Sequence, residues 1–214
     1  MYLELQNQTE KKLTVLLDGE FYCKCYPKDL SVIGLKEGAD EMDEHQLLCL
    51  NQTVLLPRAK KRSLALLGKM QYTCSALQKK LTNDGYPAKV IELTLDYLKG
   101  YHYLDDNGFA NDYARVLLTK YSEREIMQKM LLKGFDKNQI ETAICVARES
   151  YADEENDSDK EGKPEYLAIR SILSKKGYNA EDADETVKKK MVMALYRKGF
   201  SLSDIYAVMN VSEC

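Results

Sequence analysis

The chain has 214 residues, 44% of them hydrophobic and 30% charged, with a formal net charge of −3; this is enough for one or two domains with cores of their own. It contains no run of about 18 apolar residues, which excludes a transmembrane helix, and the polar start Met1–Glu10 lacks the apolar segment of a secretion signal. Cys23, Cys25, Cys49, Cys74, Cys145 and Cys214 form no even framework and read as the reduced thiols of a cytosolic protein.

The first 57 residues carry strand signals. Leu13–Leu17 and Phe21–Tyr26 are strand-like runs joined by Asp18-Gly19, a pair that tolerates positive φ at both turn positions. The stretch YLELQ before them supplies a third strand. PKDLSVIG reads as a short helix, and DEHQLLCLNQTVLL as another with Asp43 as its N-cap. This part is therefore a small β-rich module with one or two helices.

From Pro57 onward the periodicity is helical, and it repeats. Gly85-Tyr86, Gly134-Phe135, Gly177-Tyr178 and Gly199-Phe200 align with apolar residues eight and four positions before the glycine and six and ten after it. Those offsets place an apolar pair on one face of a helix on each side of the turn. The glycine ends the first helix in a left-handed conformation where a Cβ would be strained. Ser122-x-x-Glu125 has capping-box spacing, Asp136 and Ser201 stand at helix starts, and Pro87 suits a first turn. With a third helix before each pair, the pattern gives three three-helix repeats, at 58–104, 105–150 and 163–214. A run of acidic residues, 151–162, separates the last two and reads as a solvated linker. The expected fold is mainly α: three tandem three-helix repeats forming an elongated, curved array behind the β-rich module.

The stretch GYHYLDDNGFANDYAR, 100–115, invites a chemical reading of Asp105 and Asp106. A divalent metal would need several oxygen ligands, and no glycine-rich phosphate loop stands nearby. As helix caps the pair makes sense: one accepts hydrogen bonds from free N–H groups and the other faces the positive end of the helix dipole. The flanking aromatics would then seal the seam between repeats. Cys23, Cys25, His45 and Cys49 could in principle hold zinc, but C-x-C departs from ligand spacing, so these read as ordinary thiols. No nucleophile–base set, Walker motif or dinucleotide fingerprint occurs, which points away from an enzyme and from any cofactor.

Charge is segregated. Residues 1–57 carry a net −5 and residues 58–100 a net +6. Arg58, Lys60, Lys61 and Arg62 open the first repeat, and Lys79 and Lys80 lie on its next helix. Arg115, Arg124, Lys129 and Lys133 belong to the second repeat, and Lys188, Lys189, Lys190, Arg197 and Lys198 to the third. These are the candidate contacts for phosphates or for an acidic partner surface. Most of the 15 tyrosines fall at core positions of the repeats.

The residues YLDDNGFANDYAR (103–115), SEREIMQKMLLKGFDKNQIETAI (122–144) and MVMALYRKGFSLSDIYAVM (191–209) resemble the RecX family of bacterial recombination regulators. LLDGEFYCKCY and GLKEGADEMDEHQL also look like the β extension of some members. Leu117 stands where many members carry an arginine two residues after the position of Arg115. The resemblance implies three tandem three-helix repeats without enzymatic activity. It further implies a cytoplasmic monomer that binds RecA, mostly as its filament on single-stranded DNA, and modulates filament growth, recombination and coprotease activity in DNA repair and the SOS response. Direct binding to DNA is the alternative reading.

Overall fold

A computed structural model describes residues 1–9, 12–35, 40–154, 163–180 and 183–210. It divides into two compact units, Met1–Asp105 and Asp106–Cys214.

The first unit opens with three antiparallel strands in the order β1 (Leu3–Thr9), β2 (Lys12–Leu17) and β3 (Glu20–Cys25). Asp18 and Gly19 both take positive φ between β2 and β3, as the hairpin requires. Alternation buries Leu13, Val15 and Leu17 on one face of β2, together with Cys23 and Cys25 of β3. Short α1 (Pro27–Val32) follows. Then α2 (Glu44–Cys49), a π-helical stretch Leu50–Leu55, and α3 (Leu56–Leu67) run on as consecutive helical segments. Asp43 caps α2 with a full capping box to Gln46.

The sequence places a boundary at Pro57, yet helix continues through it. A proline inside a regular helix lacks one N–H and crowds the carbonyl four residues back. The wider π turn ahead of Pro57 gives that ring room. Thr53 Oγ1 donates to the Cys49 carbonyl across the turn at 2.7 Å, and the Tyr22 hydroxyl donates to Asn51 Oδ1 at 2.7 Å. As a result Val54, Leu55 and Ala59 join the core of the sheet, while Leu66 joins the core made with α4 (Cys74–Asp84) and α5 (Ala88–Gly100).

In the second unit α6 (Asp106–Leu118), α7 (Glu123–Lys133) and α8 (Lys137–Glu154) share one core, and α9 (Pro164–Lys175), α10 (Glu185–Lys198) and α11 (Leu202–Met209) another. Residues 151–154, read from sequence as linker, are the last turn of α8. The remainder of the acidic segment, 155–162, lies outside the described residues.

The glycine turns have the expected form. Gly85, Gly134 and Gly199 end α4, α7 and α10 with φ of 91°, 96° and 101°. The aromatic that follows closes the turn: Tyr86, Phe135 and Phe200 each donate their N–H to a carbonyl five residues back. Helix starts also follow the sequence. Ser201 accepts from Asp204 N–H, Asp136 exchanges bonds with Gln139, and α5 begins directly after Pro87.

Arg58 is not on an open basic face. Its guanidinium forms a two-pronged ion pair with Asp29, whose side chain is 3% exposed. Asp29 also accepts the Tyr26 N–H at 2.7 Å, so one carboxylate starts α1 and ties it to α3. Arg58→Ala would strand a buried carboxylate and should cost about 2–4 kcal/mol, somewhat under a fully buried pair because Arg58 keeps a third of its exposure. Arg62→Ala breaks a solvated pair with Asp84 (2.7 Å) and should cost about 0–1 kcal/mol. Urea denaturation of the two variants measures the contrast.

Candidate partner-binding surface

The two aspartates of the sequence motif fall at the division between units. Asp105 ends the first, and Asp106 is the first residue of α6. Asp105 thus immediately precedes α6, and Asp106 lies in its first turn, where a carboxylate faces the positive end of the helix dipole. The aromatics around them do not all go inside. Leu104 and Phe109 are buried, each in the core of its own unit, but Tyr101 and Tyr103 stay 65% and 53% exposed. Tyr101 and Tyr103 thus face solvent, where the sequence reading has the flanking aromatics sealing a seam.

The candidate basic residues divide into three kinds. Some are committed to carboxylates: Arg58 to Asp29, Arg62 to Asp84, and Lys198 to Glu125 Oε1 at 2.9 Å. Others lie over aromatic rings. Lys60 Nζ is 3.9 Å from the centre of the Tyr97 ring and Lys129 Nζ 4.2 Å from that of Tyr121; Lys133 lies 5.5 Å from Tyr113, and the Arg115 guanidinium 5.8 Å from Tyr151. A ring's negative face helps hold a cation in place. The third kind is solvated: Lys61, Lys79, Arg124, Lys189, Lys190 and Arg197 are exposed, and Lys80 and Lys188 half-buried. Lys189, Lys190 and Arg197 line a shallow surface groove on α10 with Met193.

Within the second unit the third repeat is seated on the second, which the sequence did not disclose. Ser122 starts α7 by accepting the Glu125 N–H, and its hydroxyl donates to the Lys198 carbonyl at the end of α10. Glu125 leaves the capping box incomplete and turns to Lys198 instead. Arg148 of α8 bridges Glu123 and Glu165, each at 2.8 Å. The C-terminus of α10 thus meets the N-terminus of α7, so opposite ends of two helix dipoles face each other. A Cβ on Gly199 would come within 3.0 Å of Arg124 Cβ, whereas one on Gly177 (φ 64°) would meet nothing within 4 Å. Gly177→Ala should cost about 1 kcal/mol from backbone strain alone. Gly199→Ala adds an encounter that cannot swing away and should cost about 2–3 kcal/mol. Thermal melting of both variants checks the difference.

The thiols are quiet. Burial, followed by the Asp29 charge, pushes Cys25 up to about 11, and burial pushes Cys23 higher still. Cys49 is half-buried beside Thr53. Among the described residues no group of three or more His, Cys, Asp or Glu is arranged to hold a metal. Because folding raises these thiol values, their contribution to stability is complete below about pH 9 and is lost as pH climbs through about 11. Chemical denaturation between pH 8 and 11 should show that fall, and Cys23→Ser/Cys25→Ser should flatten it.

Comparisons with known proteins agree with the fold. The model of the third three-helix domain of RecX matches residues 165–209, which run from α9 to the end of α11. The chain is 25% identical to the regulatory protein RecX of Clostridium acetobutylicum, over 97% of this chain and 92% of that protein. It is also 25% identical to that of Caldanaerobacter subterraneus, over 97% of each. A crystal structure of a regulatory protein RecX superposes with a TM-score of 0.57 at 21% identity, covering 98% of both chains. RecX from Lactobacillus salivarius gives 0.56 at 18% identity, covering 74% of this chain and 96% of that one. The resemblance read from the sequence motifs is borne out over nearly the whole chain. These relatives are named as regulators, not as enzymes.

Proposed function

We propose that this chain is a RecX-type regulator that binds RecA, or its filament on single-stranded DNA, and restrains filament extension, recombination and coprotease activity during DNA repair and the SOS response. It acts by binding, as a cytoplasmic monomer without cofactor or catalysis. The observation that carries this reading is similarity to RecX regulatory proteins over 97% of the chain, on a matching helical plan.

The basic residues support it. Lys79, Arg115 and Lys129 are distributed over the first two repeats, on helices α4, α6 and α7. Contacts on successive repeats add their weak energies on one partner. A filament of identical subunits offers such repeated sites. Charge on exposed rims steers association and disfavours wrong partners.

Added to RecA and single-stranded DNA, the chain should depress ATP hydrolysis. The combined variant Lys79→Glu, Arg115→Glu and Lys129→Glu should need at least about tenfold more protein for the same effect. Inhibition unchanged by all three reversals would remove these residues from the interface. An absence of any effect by the unaltered chain would remove the function itself.

A further inference from the structure

The second and third repeats each keep a core of their own. Ile126, Met130 and Phe135 belong to that of α6–α8, and Ile169, Leu195 and Phe200 to that of α9–α11; no buried apolar residue belongs to both. The bonds that cross between them are polar. The Ser122 hydroxyl donates to the Lys198 carbonyl, and Lys198 Nζ lies 2.9 Å from Glu125 Oε1. Arg148 reaches Glu165 Oε1 through Nε at 3.0 Å and Nη2 at 2.8 Å, while holding Glu123 of its own repeat. The turn at Gly199, which rests on Arg124, is closed from within the third repeat by the Phe200 N–H and the Leu195 carbonyl.

Two features set the strength of this join. The first is that its charges are solvated: Arg148 is exposed, and Glu125, Glu165 and Lys198 are half-buried. Such pairs hold weakly, and they weaken further as salt rises, because the screening length shrinks from about 10 Å at 0.1 M to about 3 Å at 1 M. The second opposes docking. Glu125 Oε2 is buried and has no hydrogen-bond partner in the protein. A carboxylate oxygen in that position carries its desolvation cost uncompensated, and opening the join returns it to water. An attraction that salt weakens is thus set against a cost that salt leaves in place.

We propose that the third repeat is clasped to the second by charge and comes away from it intact, as a folded three-helix unit, when ionic strength rises. Neither core is opened by the release, because neither extends across the join. The two repeats then change from one continuous surface to two surfaces on one chain. The spacing between contacts on the second repeat and contacts on the third becomes a variable that the clasp controls, and simultaneous engagement of both depends on that spacing. An apolar join would not respond in this way, since burial of apolar surface is not screened by salt.

The test uses the full chain alone, so that its outcome is separate from that of the proposed function. Amide hydrogen exchange is read by mass spectrometry at about 0.05 M and about 0.5 M NaCl. The first turn of α7 and the last turn of α10 cover each other at the join, and both should exchange about tenfold faster at the higher salt. The core segments 140–147 and 205–209 should exchange as before. Arg148→Met/Lys198→Met should show the fast exchange already at low salt and respond no further. Lys89→Met breaks a solvated pair with Glu92 in the first unit and should respond as the unaltered chain does. The proposal is overturned if exchange at the join is indifferent to salt, or if the double variant matches the unaltered chain. It is equally overturned if 205–209 exchanges faster together with the join, which is melting and not release, or if Lys89→Met reproduces the double variant.

Discussion

A glycine at positive φ is the constraint on which the rest of this molecule depends. At the end of α4 and of α10 it does two things at once. It stops the helix so that the following aromatic can close the turn. It also removes the side chain that would hold the next layer away. Gly85 lies against Lys24 of β3, whose N–H donates to the Gly85 carbonyl at 3.3 Å, and Gly199 lies against Arg124 and Ser122 at the start of α7. In each case the turn of a helical repeat rests on the element that comes before that repeat in the chain. For the third repeat that element is the cap of a helix. For the first it is the edge of a sheet. The β-rich module therefore offers the first repeat a seat of the kind that the second repeat offers the third.

Much of this was legible from the sequence because it is local. A glycine followed by an aromatic, with apolar pairs at fixed offsets, states the helix, its end and its buried face within about twenty residues. Asp43, Ser122, Asp136 and Ser201 each declared a helix start, and each accepts the expected N–H. The hairpin at Asp18-Gly19 was equally plain, since few other residue pairs tolerate its backbone.

The unread features are joins between residues far apart in the chain. Arg58 looked like the start of a basic face, but Asp29, 29 residues earlier, claims it. Lys198 read as a contact for a partner and instead pairs with Glu125 across 73 residues. No spacing rule announces such pairs, because either partner alone is an ordinary surface residue. The continuation of helix through Pro57 was hidden differently. Proline is a sound boundary signal, and only the π turn ahead of it makes the exception possible. The tyrosines at 101 and 103 were expected to seal the seam beside Asp105 and Asp106, and both face solvent.

The bond between Ser122 and the Lys198 carbonyl spans 76 residues and ends near the last described helix. During synthesis the α6–α8 bundle is complete in sequence well before α10 leaves the ribosome, and domains fold largely in order of emergence. The second repeat must therefore stand for several seconds with the top of α7 uncovered, at ordinary rates of about 5–20 residues per second. Its compact core, built from short-range contacts, suits it to that wait. The Gly199 turn is then the closing step of assembly, and a nascent chain released before it would carry a folded second repeat with an open end.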